Sequence, residues 1–214
     1  MKPSFYFILS IYLLLAGTAN AQFGLRVGGN FSGFITSTNN GYRTSTDDKL
    51  SYQFGIFYKQ QLTQRLSFTP ELQYSNEQMT ITRSFVSDAT FHAVYASNFT
   101  YVNVPLLLRA TWGRAYVEVG PQAGMLVGGH ETGTVNVNQT TLHIDHDATD
   151  PTIGYRRFDV GPSLGAGFLL SKSVGLNVRA YQGVVSLTHD SKANIAHLYR
   201  QSLQVSLVFQ VQKE

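Results

Sequence analysis

The sequence predicts an all-β fold: an eight-stranded, antiparallel, up-and-down barrel that crosses a membrane, preceded by a cleaved signal peptide. Three observations predict it. Apolar residues recur at every second position through most of the chain, which is the period of a strand with two unlike faces. The alternating stretches run to ten or more residues, whereas strands of soluble domains usually run to about 5–6 and a tilted strand needs about 9–11 to cross a bilayer. Charged residues make up only 14% of the 214-residue chain and aromatics 13%, against a charged share of about 25% in soluble domains. Mean hydropathy is nonetheless close to zero at −0.08, too polar for a bundle of membrane helices. Alternation reconciles the two, since half of every strand meets lipid and half does not.

Residues 1–21 read as a secretory leader. Lys2 gives the positive end, Phe5 to Ala16 the short apolar run, and Ala19-Asn20-Ala21 a small-x-small cleavage site before Gln22. The apolar run is too short for a helix that spans a bilayer. Residues 22–214 are then one barrel domain. Without Lys2 the chain holds 15 bases against 13 acids, a bias too weak to point to nucleic acid. It has no cysteine, which excludes disulfides, thiolate metal sites and lipid attachment through cysteine.

Strand one places Phe23, Leu25, Val27 and Phe31 on one face, and Gly24, Arg26, Gly28, Asn30 and Ser32 on the other. Thr36 to Lys49 is rich in Thr, Ser, Asn and Gly and reads as an exposed loop. Strand two sets Tyr52, Phe54, Ile56, Tyr58 and Leu62 against Gln53, Gly55, Lys59 and Gln61. A tight turn near Thr63-Gln64 leads to strand three, where Leu66, Phe68, Pro70, Leu72 and Tyr74 alternate with Ser67, Thr69, Glu71, Gln73 and Ser75. Pro70 lacks an N–H for the ladder and is expected to sit at a bulge.

Met79 to Ser97 reads as a polar connection. A hairpin through Trp112-Gly113-Arg114 follows as strands four and five. Its apolar faces are Val102, Val104, Leu106, Leu108 and Ala110, then Val117, Val119, Pro121, Ala123, Met125 and Val127. Asn103, Arg109, Glu118, Gly120, Gln122 and Gly124 lie opposite. Gly129 to Tyr155 reads as the longest loop. Strand six turns Phe158, Val160, Pro162, Leu164, Ala166, Phe168 and Leu170 outward, with Asp159, Gly161, Ser163, Gly165 and Gly167 inward. Ser171-Lys172-Ser173 turns into strand seven, with Val174, Leu176, Val178 and Ala180 outward. His189 to His197 is a further loop, and strand eight presents Leu203, Val205, Leu207, Phe209 and Val211.

Connections thus alternate between short turns near residues 63, 113 and 172 and long ones near 42, 88, 142 and 193, the signature of an outer-membrane barrel with its long loops outside the cell. A lipocalin-like soluble barrel would bury its aliphatic face inward. Here the small and charged residues form the face that must crowd into the lumen.

Five runs carry a resemblance to a known family. They are Gly24-x-Arg26-x-Gly28-Gly29-Asn30, Leu66 to Ser75, Tyr101 to Arg109, Val119-Gly120-Pro121-Gln122-Ala123-Gly124, and Val160 to Gly167. Together they resemble the outer-membrane β-barrel domain related to PorT, common in Bacteroidetes-type bacteria. The resemblance spans the mature chain and implies a small outer-membrane barrel. PorT itself is associated with a protein secretion system, which makes envelope or secretion-machine proteins the implied partners.

An eight-stranded barrel has room inside only for side chains. The lumen set is Arg26, Lys59, Arg109 and Arg179 against Glu71, Glu118 and Asp159, and it is expected to form a structural ion-pair network, because an unpaired charge there is costly. A proton or ion path along the same residues is the sharper alternative. All six histidines (His92, His130, His143, His146, His189 and His197) fall in the expected long loops. His143, Asp145, His146 and Asp147 offer donors for a metal, but flexible loops preorganise poorly, so neither metal nor cofactor is expected. Ser186, His189 and Asp190, or His143 with Asp145, could be cast as hydrolytic sets; such sets arise by chance in polar loops, and no GxSxG, HExxH or phosphate loop occurs. The expectation is therefore a non-enzymatic, monomeric barrel in outer-membrane lipid, with a structural, adhesive or docking role. Component of a secretion or envelope-assembly machine is the alternative, and a loop-borne enzyme a more distant one.

Overall fold

The computed structural model describes residues 21–36, 42–85, 91–137, 140–147, 155–187 and 198–211. The leader through Asn20, and His189, Asp190 and His197, lie outside the described residues. Ten strands follow in order: β1 (Ala21–Thr36), β2 (Tyr42–Asp48), β3 (Leu50–Gln61), β4 (Leu66–Phe85), β5 (Phe91–Trp112), β6 (Ala115–Val137), β7 (Thr140–Asp147), β8 (Phe158–Leu169), β9 (Val174–Gln182) and β10 (Leu198–Gln210). Eight of them close a ring in the order β1-β3-β4-β5-β6-β8-β9-β10, with β10 pairing back to β1, and every pairing is antiparallel. Closure removes the unpaired edge that hydrocarbon would not tolerate.

The faces are inverted relative to a soluble barrel. Leu25, Val27, Phe54, Ile56, Val119, Leu164, Val178 and Val205 are exposed on the outer wall, while Arg26, Gln53, Glu71, Gln73, Glu118, Arg179 and Gln204 are buried. Tyr74 stacks on Phe54 at 5.0 Å and lies beside Tyr52 at 6.4 Å, an aromatic cluster on the outer wall. No helix among the described residues is long and apolar enough to cross a membrane; the strands do so.

Three long connections expected from composition are in large part strand. β4, β5 and β6 run to 20, 22 and 23 residues, about twice what a bilayer crossing requires. Met79–Ser97 is mostly the paired upper halves of β4 and β5. The loop expected at 129–155 holds the end of β6 paired with β7. Within the loop expected at 36–49, β2 pairs with β4 and continues the line of β3. Polar composition misled because these segments alternate between water and their own small core, so neither face is rich in aliphatics. The result is a sheet ordered β2-β4-β5-β6-β7 that rises from one side of the ring.

Pro70 does not sit at a bulge. The pairs Phe57↔Glu71 and Gln60↔Phe68 keep one register across it, as do Pro70↔Leu106 and Gln73↔Asn103. The missing N–H opens a gap in the ladder without shifting it. A register shift falls instead between Thr100 and Tyr101, where Tyr101 pairs with Leu126 and Thr100 with Gly128, so Val127 is the extra residue. At the short turn, Gly113 adopts φ 60°, a left-handed conformation that suits glycine.

A closed barrel of this kind keeps its shape in detergent until heated. The purified protein is therefore expected to migrate differently on a gel before and after boiling, and identical migration would count against closure.

Candidate functional site

The lumen is the site that closure creates, and it is stratified. Near the short turns, Arg26 from β1, Glu71 from β4, Arg109 from β5, Glu118 from β6 and Arg179 from β9 meet in one buried network. Arg179 Nη2 donates to Glu118 Oε1 at 2.8 Å and to Glu71 Oε2 at 3.0 Å. Arg109 donates through Nη2 and Nε to Glu118 Oε2 at 3.0 and 3.3 Å. Arg26 Nη2 reaches Glu118 Oε1 at 3.5 Å. Its Nε lies 3.1 Å from Glu71 Oε1, an ion pair without hydrogen-bond geometry. Asn177 Nδ2 adds a hydrogen bond to Glu118 at 3.2 Å. Glu118 thus serves three arginines. The Arg109 guanidinium also lies over the Tyr116 ring at 4.2 Å, a contact that rewards a desolvated cation.

Local sequence provides the room. A Cβ at Gly165 would lie 2.9 Å from Glu118 Cγ, and one at Gly167 would lie 2.2 Å from Tyr116 Cζ. These glycines on β8 make space for the carboxylate and the ring, as the crowding argument expects.

Above this layer lies an amide belt. Gln73 donates to Gln53 and, at 3.2 Å, to Gln204, while Asn103 donates to Ser75 at 2.9 Å. A second charged cluster follows. Arg200 from β10 donates from Nε to Glu77 Oε2 at 3.0 Å and from Nη1 to Asn103 Oδ1 at 3.0 Å. Its Nη1 lies 3.8 Å from Asp159 Oδ2, which accepts from the Tyr181 hydroxyl at 2.7 Å. Tyr101 and Tyr181 flank the guanidinium, with ring centroids 3.9 and 5.1 Å away.

Of the lumen residues expected from sequence, Arg26, Glu71, Arg109, Glu118 and Arg179 come together. Asp159 belongs to the second cluster. Lys59 does not join: it is half-buried, and no carboxylate among the described residues pairs with it. It lies two residues before the end of β3, where a long side chain can carry its ammonium to water. Sequence reasoning missed Glu77 and Arg200, which lie just beyond the drawn ends of their strands. Carrying the alternation two residues past Ser75 would have found Glu77, and three residues before Leu203 would have found Arg200.

Above the second cluster the lumen is sealed by an apolar cap. Phe34, Met79, Ile81, Ala93, Tyr95, Phe99, Tyr101, Leu126, Leu187 and Leu198 pack into one buried core. Phe99 is its hub, meeting Phe34 at 5.8 Å and Tyr155 at 5.7 Å edge-on. Phe99→Ala is expected to cost about 3–5 kcal/mol through the cavity it leaves, read as a lower urea midpoint for the heat-sensitive gel form.

Glu131 lies outside the cap. It accepts from Ser97 Oγ at 2.5 Å and from the Tyr155 hydroxyl at 3.3 Å, and it contacts His146 Nε2 at 2.9 Å. The bulge at Val127 explains why Glu131 rather than His130 turns inward, because one extra residue flips every later side chain to the other face. Four of the histidines are therefore strand residues: His92 in β5, His130 in β6, and His143 and His146 in β7. His143 and Asp145 share the outer face of β7, where Asp145 pairs with His130 at 3.1 Å. His146 faces the other way, so the expected donor cluster is split between two faces. No group of three potential ligands that could hold a metal occurs among the described residues. Ser97 and His146 contact the same carboxylate, which places Glu131 between hydroxyl and imidazole. A hydrolytic set needs the imidazole next to the hydroxyl.

A family model described as outer membrane protein beta-barrel domain matches residues 16–189. No curated protein matches the chain by sequence. Among solved structures, Neisserial surface protein A shares 9% identity over 90% of this chain and 99% of that one, with a TM-score of 0.44. Ail, the attachment invasion locus protein of Yersinia pestis, solved with the heparin analogue sucrose octasulfate, shares 9% over 90% and 99%, at 0.45. The outer membrane protease OmpT from Escherichia coli shares 8% over 90% and 97%, also at 0.45. At such identities nothing about function is carried over from them.

Proposed function

The chain belongs to the outer membrane protein β-barrel domain family, and from that premise we propose that it is a closed, non-enzymatic barrel that serves as a docking platform in the outer membrane. The observation that carries the reading is the sheet that β4, β5 and β6 raise beyond the ring, flanked by β2 and β7. A barrel whose task was only to fill the membrane would end where the lipid ends. Here about ten further residues on each of three strands build a second, water-facing body on the long-connection side. The filled lumen supports the same reading. Ion pairs, an amide belt and an apolar cap occupy the axis in succession, which disfavours a solute channel.

The partner class we propose is an envelope protein, in keeping with the resemblance of the motif runs to the PorT-related barrels. Export by a leader, residues 1–21, that is cleaved before Gln22 and a monomeric barrel complete the proposal. A mild-detergent pull-down of the tagged protein from native outer membranes tests it. A stoichiometric envelope partner, lost when residues 132–146 are replaced by a short Asn-Gly turn, supports docking through the β6–β7 hairpin. A barrel that comes down alone, or a partner that the shortened hairpin retains, overturns it. In planar bilayers the intact protein is expected to give no steady conductance.

A further inference from the structure

The outer wall across β8, β9, β10 and β1 carries a groove that the lumen does not explain. One lateral row reads Leu164, Ala180, Leu203 and Phe31, each paired in register with the next. Leu164, Leu203 and Phe31 project outward and are exposed, whereas Ala180 between them contributes one methyl group. A groove of about 580 Å³ results, within the range of roughly 300–1,000 Å³ common for ligand sites.

One row nearer the long connections, the wall turns polar. Gly33, Gln201 and Gln182 pair in register there. Asp48, at the end of β2, leans over Gly33, where a Cβ would lie 2.1 Å from its Oδ1. Asp48, Gln182 and Gln201 line the same groove as the apolar row. The trough therefore runs from hydrocarbon-facing side chains to a carboxylate and two amides.

We infer that this groove binds one acyl lipid, its chain over Ala180 between Leu164 and Leu203, and an amine-bearing head group against Asp48, Gln182 and Gln201. The surface faces lipid, so what reaches it is dissolved in the bilayer. The order of polarity, apolar below and polar at the edge, is that of a lipid standing in its leaflet. The head group follows from charge. Asp48 lies between Asp47 and Lys49 in sequence, and no Lys, Arg or His among the described residues, Lys49 included, forms an ion pair with it. Partial burial and the neighbouring Asp47 hold its carboxyl above the ordinary range; the attraction of an ammonium offsets both, and an anionic head group adds to the repulsion.

Native mass spectrometry of the full protein in mild detergent, titrated separately with phosphatidylethanolamine and phosphatidylglycerol, tests the site. The expected result is a single-lipid adduct with phosphatidylethanolamine, several-fold more occupied than with phosphatidylglycerol. Ala180→Phe, which fills the groove, is expected to lower occupancy several-fold, with Ala180→Leu as the milder filling. Ala166→Phe, the same change on the same wall but outside the groove, is expected to leave it unchanged. Asp48→Asn is expected to erase the preference for the amine. Heat-dependent gel migration checks that each variant folds. No adduct on the wild type, or equal occupancy in Ala180→Phe and Ala166→Phe, overturns the site. Equal binding of the two lipids overturns the head-group assignment.

Discussion

Glu118→Ala is expected to be the most damaging single substitution among the lumen charges, at a cost of about 3–5 kcal/mol, the usual range for removing one partner of a buried ion pair. The reason is balance. Among the described residues below the apolar cap, four buried arginines, Arg26, Arg109, Arg179 and Arg200, face four buried carboxylates, Glu71, Glu77, Glu118 and Asp159; the fifth buried carboxylate, Glu131, lies beyond the cap. Removing Glu118 leaves Arg26, Arg109 and Arg179 with Glu71 alone, and Arg109 loses the carboxylate it binds. Glu118→Gln keeps the shape and removes the charge, so it isolates the electrostatic part. Adding Arg109→Gln restores the balance and is expected to recover a measurable share of the loss, which a double-mutant cycle reads directly. Urea titration of the heat-sensitive gel form in lipid or detergent gives the midpoints. A Glu118→Gln protein as stable as wild type would show that the Glu118 charge contributes nothing to the fold.

The second large effect is expected on the opposite wall. Leu106→Arg or Val119→Arg places a guanidinium in lipid, at about 2–4 kcal/mol near the midplane. Leu106 and Val119 are 42% and 53% exposed, as the outer wall requires. Sequence alone suggests that Arg at Gln122 would be mild, because Gln122 lies on the polar face. The structure changes that expectation. Gln122 is fully buried and neither amide atom has a partner, so Arg there adds a fifth cation to a balanced, filled lumen. The substitution that separates the two walls is Leu instead. Gln122→Leu removes an unpartnered amide and is expected to be neutral or mildly stabilising, whereas Leu106→Gln is expected to destabilise. Equal effects would mean that the two faces are assigned wrongly.

Most of the barrel was legible in the chain because alternation is local. Each strand declares its own faces, whatever its neighbours are, and strand count and turn positions follow from where the alternation stops. It failed where its two environments ceased to be lipid and lumen. Above the membrane, Met79, Ile81, Ala93 and Tyr95 still alternate inward, yet water rather than lipid faces their neighbours, and the stretch reads as polar loop. Phe57, Leu107 and Tyr116 were overlooked for the converse reason: they are apolar residues on the inward face, at positions where a hydropathy pattern expects polarity.

What the sequence by itself determined is the all-β class, the eight-stranded ring, the inverted faces and most of the lumen charges, with Glu77 and Arg200 missed and Lys59 counted in excess. What only the tertiary structure decided is which charges meet and where the lumen closes. Arg179 finds Glu71 across 108 residues, and Arg200 finds Glu77 across 123. Those meetings depend on the tilt and stagger of strands around the closed ring, a property of all the pairings together that no single strand carries. The bulge at Val127 adds to this, since one extra residue, invisible in composition, decides that Glu131 and not His130 turns inward. Faces are set by the backbone period within a strand; contacts across the lumen are set by closure.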